Sequence, residues 1–176
     1  MKTIAGDVTI RAATVDDAEA IAEVNVASWR WAYDRLLPAS VLDALSVEGR
    51  ATDWRSMIVS PVCDVSVATA GDGTVVGFAN VGRTRDDDDA SLTTGELFAL
   101  YVRPETAGTG IGRALLQQAE TRLRAAGFTH ASLWVLETNG RARRFYERHG
   151  WSFDGTRGEH RFDCGNRPIV RYAREL

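Results

Sequence analysis

Cysteine is scarce in this chain. Two thiols, Cys63 and Cys164, stand among 176 residues, too few for a disulfide framework or a cysteine-rich zinc site. Cys63, beside a strand, reads as core filler. His130, His149 and His160 show no metal-ligand spacing, so no metal is expected. An excess of either charge is missing too. The net charge is −3, which carries no nucleic-acid footprint. No apolar run approaches the length of a membrane span. Residues 1–7 lack the apolar core of a signal peptide, which makes a cytoplasmic location the expectation. No repeat or linker composition interrupts the chain, and its length fits one domain, 1–176, with a sizeable core.

What the chain does have is a glycine pattern. Residues 97–116 read as an apolar strand, a glycine-rich turn and the start of an amphipathic helix. Gly108, Gly110 and Gly112 occupy alternate positions. Glycine lets a backbone approach a ligand closely with its N–H groups free. A helix N-terminus adds orphan donors and the positive end of the macrodipole. Together they suit a diphosphate. This is no Walker loop, because no Lys-Ser or Lys-Thr follows the glycines. It is no dinucleotide fingerprint either: the register is G-x-G-x-G, Arg113 stands where the last glycine should fall, and residues 103–106 separate strand from helix. An ordinary flexible connection is the plain alternative, but three alternating glycines weaken a helix start unless something uses them.

The rest of the chain reads as mixed α/β. A strand is expected at 8–11, then a helix capped by Thr14 with Asp16 and Asp17 in its first turn. Its apolar stripe is Ala18, Ile21, Ala22, Val24 and Val26. Pro38 opens a short helix through Leu45, and another is expected over 47–59. Strands at 65–70 and 74–81 flank a Gly71-Asp72-Gly73 turn. The run Asp86-Asp87-Asp88-Asp89 is either a solvated loop tip between antiparallel strands or a lure for cationic substrates. A central strand covers 95–102. Its helix covers 110–126, with Ile111, Leu115, Leu116, Ala119 and Leu123 buried and Gly127 as the stop. A strand at 130–136, a helix at 141–149 and strands near 151–154 and 168–172 complete the order. The central βαβ unit should be parallel and right-handed.

Ala107-Gly108-Thr109-Gly110-Ile111-Gly112, after a strand of the type L-Y-V-x-P, resembles motif A of the GNAT superfamily of N-acetyltransferases, [QR]-x-x-G-x-[GA]. Residues 137–151 resemble its motif B, N-x-x-A-x-x-F-Y-E-x-x-G-[FW], and 10–18 are similar to a common GNAT opening. The resemblance implies an α/β (α+β) fold: a mixed, mostly antiparallel twisted sheet of about seven strands, with a splayed central strand and flanking helices. It implies acetyl-CoA as co-substrate. The cofactor residues carried over are Leu100, Tyr101 and Val102, whose amides a strand bulge frees, then Ala107, Gly108, Thr109, Gly110, Ile111, Gly112 and Arg113, with Asn139 and Tyr146. Ala107 departs from the pattern, standing where Arg or Gln usually helps the pyrophosphate; weaker CoA binding follows.

Acetyl transfer to an amine needs a base, because an alkylammonium has a pKa near 10. It also needs an oxyanion donor and an acid for the departing thiolate. Glu96 is the candidate base, acting through water as GNAT strand glutamates do; an exposed strand glutamate looks the same in sequence. Tyr146 is the candidate acid, or else a packing partner of Phe145. Asn139 serves the pantetheine arm or merely caps its helix. Arg141, Arg143, Arg144 and Arg148 form a basic face, of which one meets the 3′-phosphate or all are solvated. Trp29 and Tyr33, four apart on one helix face, form either an acceptor wall or core. The expected partner is a small-molecule amine, with no nucleic acid and no membrane, the protein being a monomer or homodimer. A protein or peptide N-acetyltransferase and a non-catalytic acetyl-CoA sensor are the alternatives.

Overall fold

The computed structural model describes residues 8–86 and 93–176. Asp87, Asp88 and Asp89 of the acidic run, and residues 1–7, lie outside them. The chain runs β1 (Thr9–Ala12), α1 (Ala18–Ala32), α2 (Ala39–Asp43), α3 (Val47–Ile58), β2 (Cys63–Thr69), β3 (Val75–Arg83), β4 (Thr94–Val102), α4 (Ile111–Ala125), β5 (His130–Leu136), α5 (Gly140–Arg148), β6 (Ser152–Phe162) and β7 (Gly165–Glu175). Short 3-10 turns precede α1 and α4. The seven strands make one sheet in the order β1-β2-β3-β4-β5-β7-β6. Among the described residues only β4 and β5 pair in parallel, as the βαβ reading requires.

The two faces of the sheet carry different helices. On one face α1 and α3 bury Ile21, Val24, Ala51 and Trp54 against Val67 and Phe78. On the other, Leu115, Leu116, Ala119 and Leu123 of α4 meet Ala131, Leu133, Val170 and Tyr172, with Phe145 and Tyr146 of α5 packed alongside. The expected stripe of α4 is the buried one. Glycine makes this packing close: a Cβ at Gly95 would lie 2.5 Å from a Leu123 methyl, and one at Gly77 would lie 2.9 Å from Leu115. A further tie fixes the axis of α4. Its buried Glu120 accepts from Trp151 Nε1 at 3.1 Å and from Arg174 Nη1 at 2.7 Å.

The last two strands differ most from expectation. Each spans 11 residues, far beyond 151–154 and 168–172. Gly155, Gly158 and Pro168 each have a place in these longer strands. Gly155 takes φ +94° in a bulge between Phe153 and Arg157. Gly158 lies against Trp134, where a Cβ would approach within 3.3 Å. Pro168 lies beyond Leu136, the last β5 residue in the ladder. Its carbonyl accepts from Glu137 N at 3.0 Å. Its missing N–H therefore faces the side where β5 has already ended.

At the head of α1, Asp17 accepts from the Thr14 backbone N–H at 2.7 Å and from its hydroxyl at 3.1 Å. Arg11 clamps both carboxylate oxygens at 2.7 and 2.8 Å. Arg11, chiefly, holds the Asp17 carboxyl down at about 2. A depressed carboxyl contributes stability above its unfolded pKa of about 4 and loses it as pH falls through about 2. Asp17→Asn should therefore lower the melting temperature at pH 7 and flatten the loss of stability between pH 4 and pH 2. A melting series that leaves that slope intact contradicts this role.

Candidate active site

The site begins where two strands part. β4 pairs with β5 only at Thr94, Glu96 and the glycine between them. From His130 to Leu136, β5 keeps its other edge on β7, while β4 stays on β3 as far as Val102. Beyond Glu96 the facing edges of β4 and β5 are unpaired. The register of β4 slips as well: Leu97 pairs with Val81 and Ala99 with Asn80, which leaves Phe98 extra. The bulge thus sits at Phe98, and Leu100, Tyr101 and Val102, the residues expected to supply free amides, follow it on the part of β4 that has left β5.

A cleft of about 600 Å³ occupies this gap. Its floor includes the glycine turn. Gly108 and Gly110 have φ +81° and +99°, a region that disfavours other residues. Gly110 is the N-cap of α4 and has no capping side chain. The N–H groups of Ala107, Thr109 and Ala114 are bonded to the carbonyls of Pro104, Thr106 and Gly110. Those of Gly108, Gly110, Ile111, Gly112 and Arg113 have no partner among the described residues. Five donors, Gly108 and the four from Gly110 to Arg113, at the positive end of a 15-residue helix, make a cradle for a diphosphate. Gly112 plays another part: its open side faces Phe145, 3.7 Å from where a Cβ would be. Ala107 lines the cleft with no donor of its own beyond a bonded amide.

Tyr146 and Glu96 line the same cleft. Tyr146 projects from α5, its ring 5.2 Å from Phe145 and 6.2 Å from Trp151. Burial pushes its phenol well up, with Tyr101 nearby adding to the shift, so the proton stays on at neutral pH. Glu96 is only 2% exposed, so it is not the solvated strand carboxylate that its position also allowed. Arg85 holds it, with Nη2 on Oε1 at 3.0 Å and the Arg85 backbone N–H on Oε2 at 3.1 Å.

Asn139 acts as a cap: its Oδ1 accepts from Ala142 N at 3.1 Å at the start of α5. Of the four arginines on α5, Arg141 and Arg148 line the cleft. Arg143 is engaged by the Tyr172 hydroxyl and the Glu137 carbonyl. Arg113 lines the cleft from the first turn of α4. Asp86, the described member of the acidic run, accepts from Trp134 Nε1 at 3.0 Å and pairs with Arg171 at 3.1 Å.

One end of the cleft is aromatic. Trp29 and Tyr33 both line it, edge to face with centroids 5.0 Å apart. The Tyr33 and Tyr101 hydroxyls are 3.1 Å apart, and burial raises both phenols. Phe162, at the tip of the β6–β7 hairpin, reaches to 6.1 Å from Trp29. Ser28 donates to the Val102 carbonyl at 2.7 Å and anchors α1 to the end of β4. Sequence reasoning missed Arg85 and Phe162. Nothing local marks Arg85, and Phe162 enters only because the hairpin is long.

The glycine cradle makes a graded prediction. An L side chain in the left-handed region is strained by about 1–2 kcal/mol. Gly110→Ala should weaken CoA binding about tenfold by calorimetry, whereas Gly112→Ala, with room beside Phe145, should weaken it less. Equal affinities for the two variants contradict the assignment of Gly110.

Comparisons with known proteins give one answer. A family model described as "Acetyltransferase (GNAT) family" matches residues 24–151. Over 132 residues the chain is 36% identical to the uncharacterized N-acetyltransferase YuaI of Bacillus subtilis, covering 75% of this chain and 73% of that one. Over 128 residues it is 38% identical to aminoglycoside N(6')-acetyltransferase type 1 of Stenotrophomonas maltophilia, covering 70% and 72%. It is 25% identical over 155 residues to spermidine N(1)-acetyltransferase of Thermoplasma acidophilum, covering 86% and 92%. Among solved structures, the PaiA N-acetyltransferase of Thermoplasma acidophilum in complex with coenzyme A superposes with a TM-score of 0.73 at 22% identity, covering 97% of this chain and 99% of that one.

Proposed function

The chain belongs to the acetyltransferase (GNAT) family, whose N-acetyltransferases use acetyl-CoA as co-substrate, and we propose that it acetylates a primary amine of a small molecule. The observation that carries the reading is the convergence of three features on one cleft: five unpartnered amides from 108 to 113, the Tyr146 phenol and the Glu96 carboxylate. Relatives that act on spermidine and on aminoglycosides support an amine acceptor. The hairpin tip at Phe162, seated on Trp29, covers the side where an extended peptide would need an open groove.

The residues divide the work. The cradle from Gly108 to Arg113 takes the pyrophosphate of acetyl-CoA, and the Arg113 side chain, in the first turn of α4, adds positive charge there. Acetyl-CoA supplies an acetyl group on a thioester, an acyl carrier whose leaving group is a thiolate. The freed β4 edge offers backbone N–H donors to the negative charge that grows on the acetyl oxygen. Glu96, through a water, accepts the proton that the amine must lose. Tyr146 gives its proton to the departing sulfur. Because burial raises that phenol, Tyr146 holds its proton over the whole range in which a free amine becomes available.

Release of free thiol from acetyl-CoA, read against a panel of amines and peptides, tests the reading. Small amines should be turned over and peptides should not. Tyr146→Phe and Glu96→Gln should each lower kcat by about 10²–10⁴-fold and leave CoA affinity nearly unchanged. A variant with wild-type kcat removes that residue from the mechanism. Turnover of peptides alone overturns the acceptor assignment.

A further inference from the structure

The acceptor end of the cleft is unusual in how its charges are already spent. Its one carboxylate, Glu96, carries a guanidinium on one oxygen and a backbone amide on the other. No other aspartate or glutamate lines the cleft among the described residues. Four of the aromatic rings that line the cleft, Trp29, Trp31, Phe98 and Trp134, carry guanidinium groups. Arg85 stacks over Phe98 at 4.5 Å, Arg171 over Trp134 at 5.7 Å, and Arg141 over Trp31 at 3.6 Å. Arg50 lies 5.1 Å from the centre of the Trp29 ring. A cation gains from an aromatic ring through the field above its face, and here the protein's own guanidinium groups take those positions. They also leave the chamber with positive neighbours.

From this pattern, and resting on the reading of the chain as a small-amine acetyltransferase, we infer that the acceptor is a monoamine carried on an aromatic or apolar body, and that polyamines and aminoglycosides are poor acceptors. Among the described residues a second ammonium on the acceptor would meet no unpaired carboxylate, and it would approach Arg85 and Arg141. An apolar ring meets a wall built for it. Trp29 lies 5.0, 6.5 and 6.1 Å from Tyr33, Tyr101 and Phe162, a packed aromatic wall against which an incoming ring can stack. Affinity for such a body grows with the apolar area it loses to water. The single amine is then directed to Glu96, the residue proposed to take its proton. This separates the chain from two of its relatives, whose named acceptors are polycations.

The test compares 2-phenylethylamine with spermidine and kanamycin, by kcat/KM with acetyl-CoA and by calorimetric binding to the CoA-bound protein. 2-Phenylethylamine should exceed both polycations at least tenfold in each measure. Phe162→Ala should raise its KM and leave CoA affinity unchanged. Arg85→Ala, which frees the Glu96 carboxylate, should shift the ratio toward spermidine. Spermidine or kanamycin bound and acetylated as well as 2-phenylethylamine overturns the inference while leaving amine acetylation standing. Binding of 2-phenylethylamine without its acetylation upholds the chamber and overturns the assigned chemistry. Absence of binding by 2-phenylethylamine overturns the inference.

Discussion

The separation of β4 from β5 after Glu96 is the constraint on which the rest depends. Had the parallel ladder continued, the amides of the β4 edge would be bonded to β5 and no cleft would exist. Each ladder bond is worth about 0.5–1.5 kcal/mol net, so the gap has a cost that other packing must offset. The offset is visible on both sides. β5 transfers its pairing to β7 along its whole length, and β4 keeps β3 to its end despite the slip at Phe98. The helix that opens at the mouth of the gap is held by its buried stripe and by the Glu120 link to Trp151 and Arg174. Its unpartnered amides are therefore aimed by the core.

The two ends of the gap have opposite chemistry. At the α4 end the backbone supplies donors and the side chains are small, so an anion can come close. At the α1 end the side chains are large and aromatic, with Ser28, Trp29 and Tyr33 on α1 and Phe162 arriving from the hairpin. Tyr146 and Glu96 line the same cleft. An acyl carrier held at one end and an amine held at the other would meet within it. That geometry, more than any one side chain, is what suits the site to joining two substrates.

Much of this was legible in the sequence where local rules dominate. The stripe of α4, the strand His130–Leu136 and the parallel βαβ unit follow from periodicity and length. The motif around Gly110 and the tyrosine of α5 point to the cleft that the structure shows. What was not legible depends on distant partners. The strands β6 and β7 run through Gly155, Gly158 and Pro168 because a bulge, the Trp134 ring and the end of β5 accommodate them, and none of these is a local signal. The position of the bulge, at Phe98, is set by its pairing with β3. Asn139 lines the cleft and also caps α5, and Arg143, one of four arginines on that helix, is committed to Tyr172 and Glu137. Arg85 lies in a polar stretch with no pattern, and only the fold brings it onto Glu96.

The central claim is that the amides from Gly108 to Arg113 grip the diphosphate of acetyl-CoA. Amide ¹H–¹⁵N spectra recorded during a CoA titration address it residue by residue. The account predicts saturable shifts at Gly108, Gly110, Ile111, Gly112 and Arg113, larger with CoA than with dephosphorylated pantetheine. Saturation of CoA binding with those five signals unmoved, and the shifts gathered elsewhere on the protein, would contradict it.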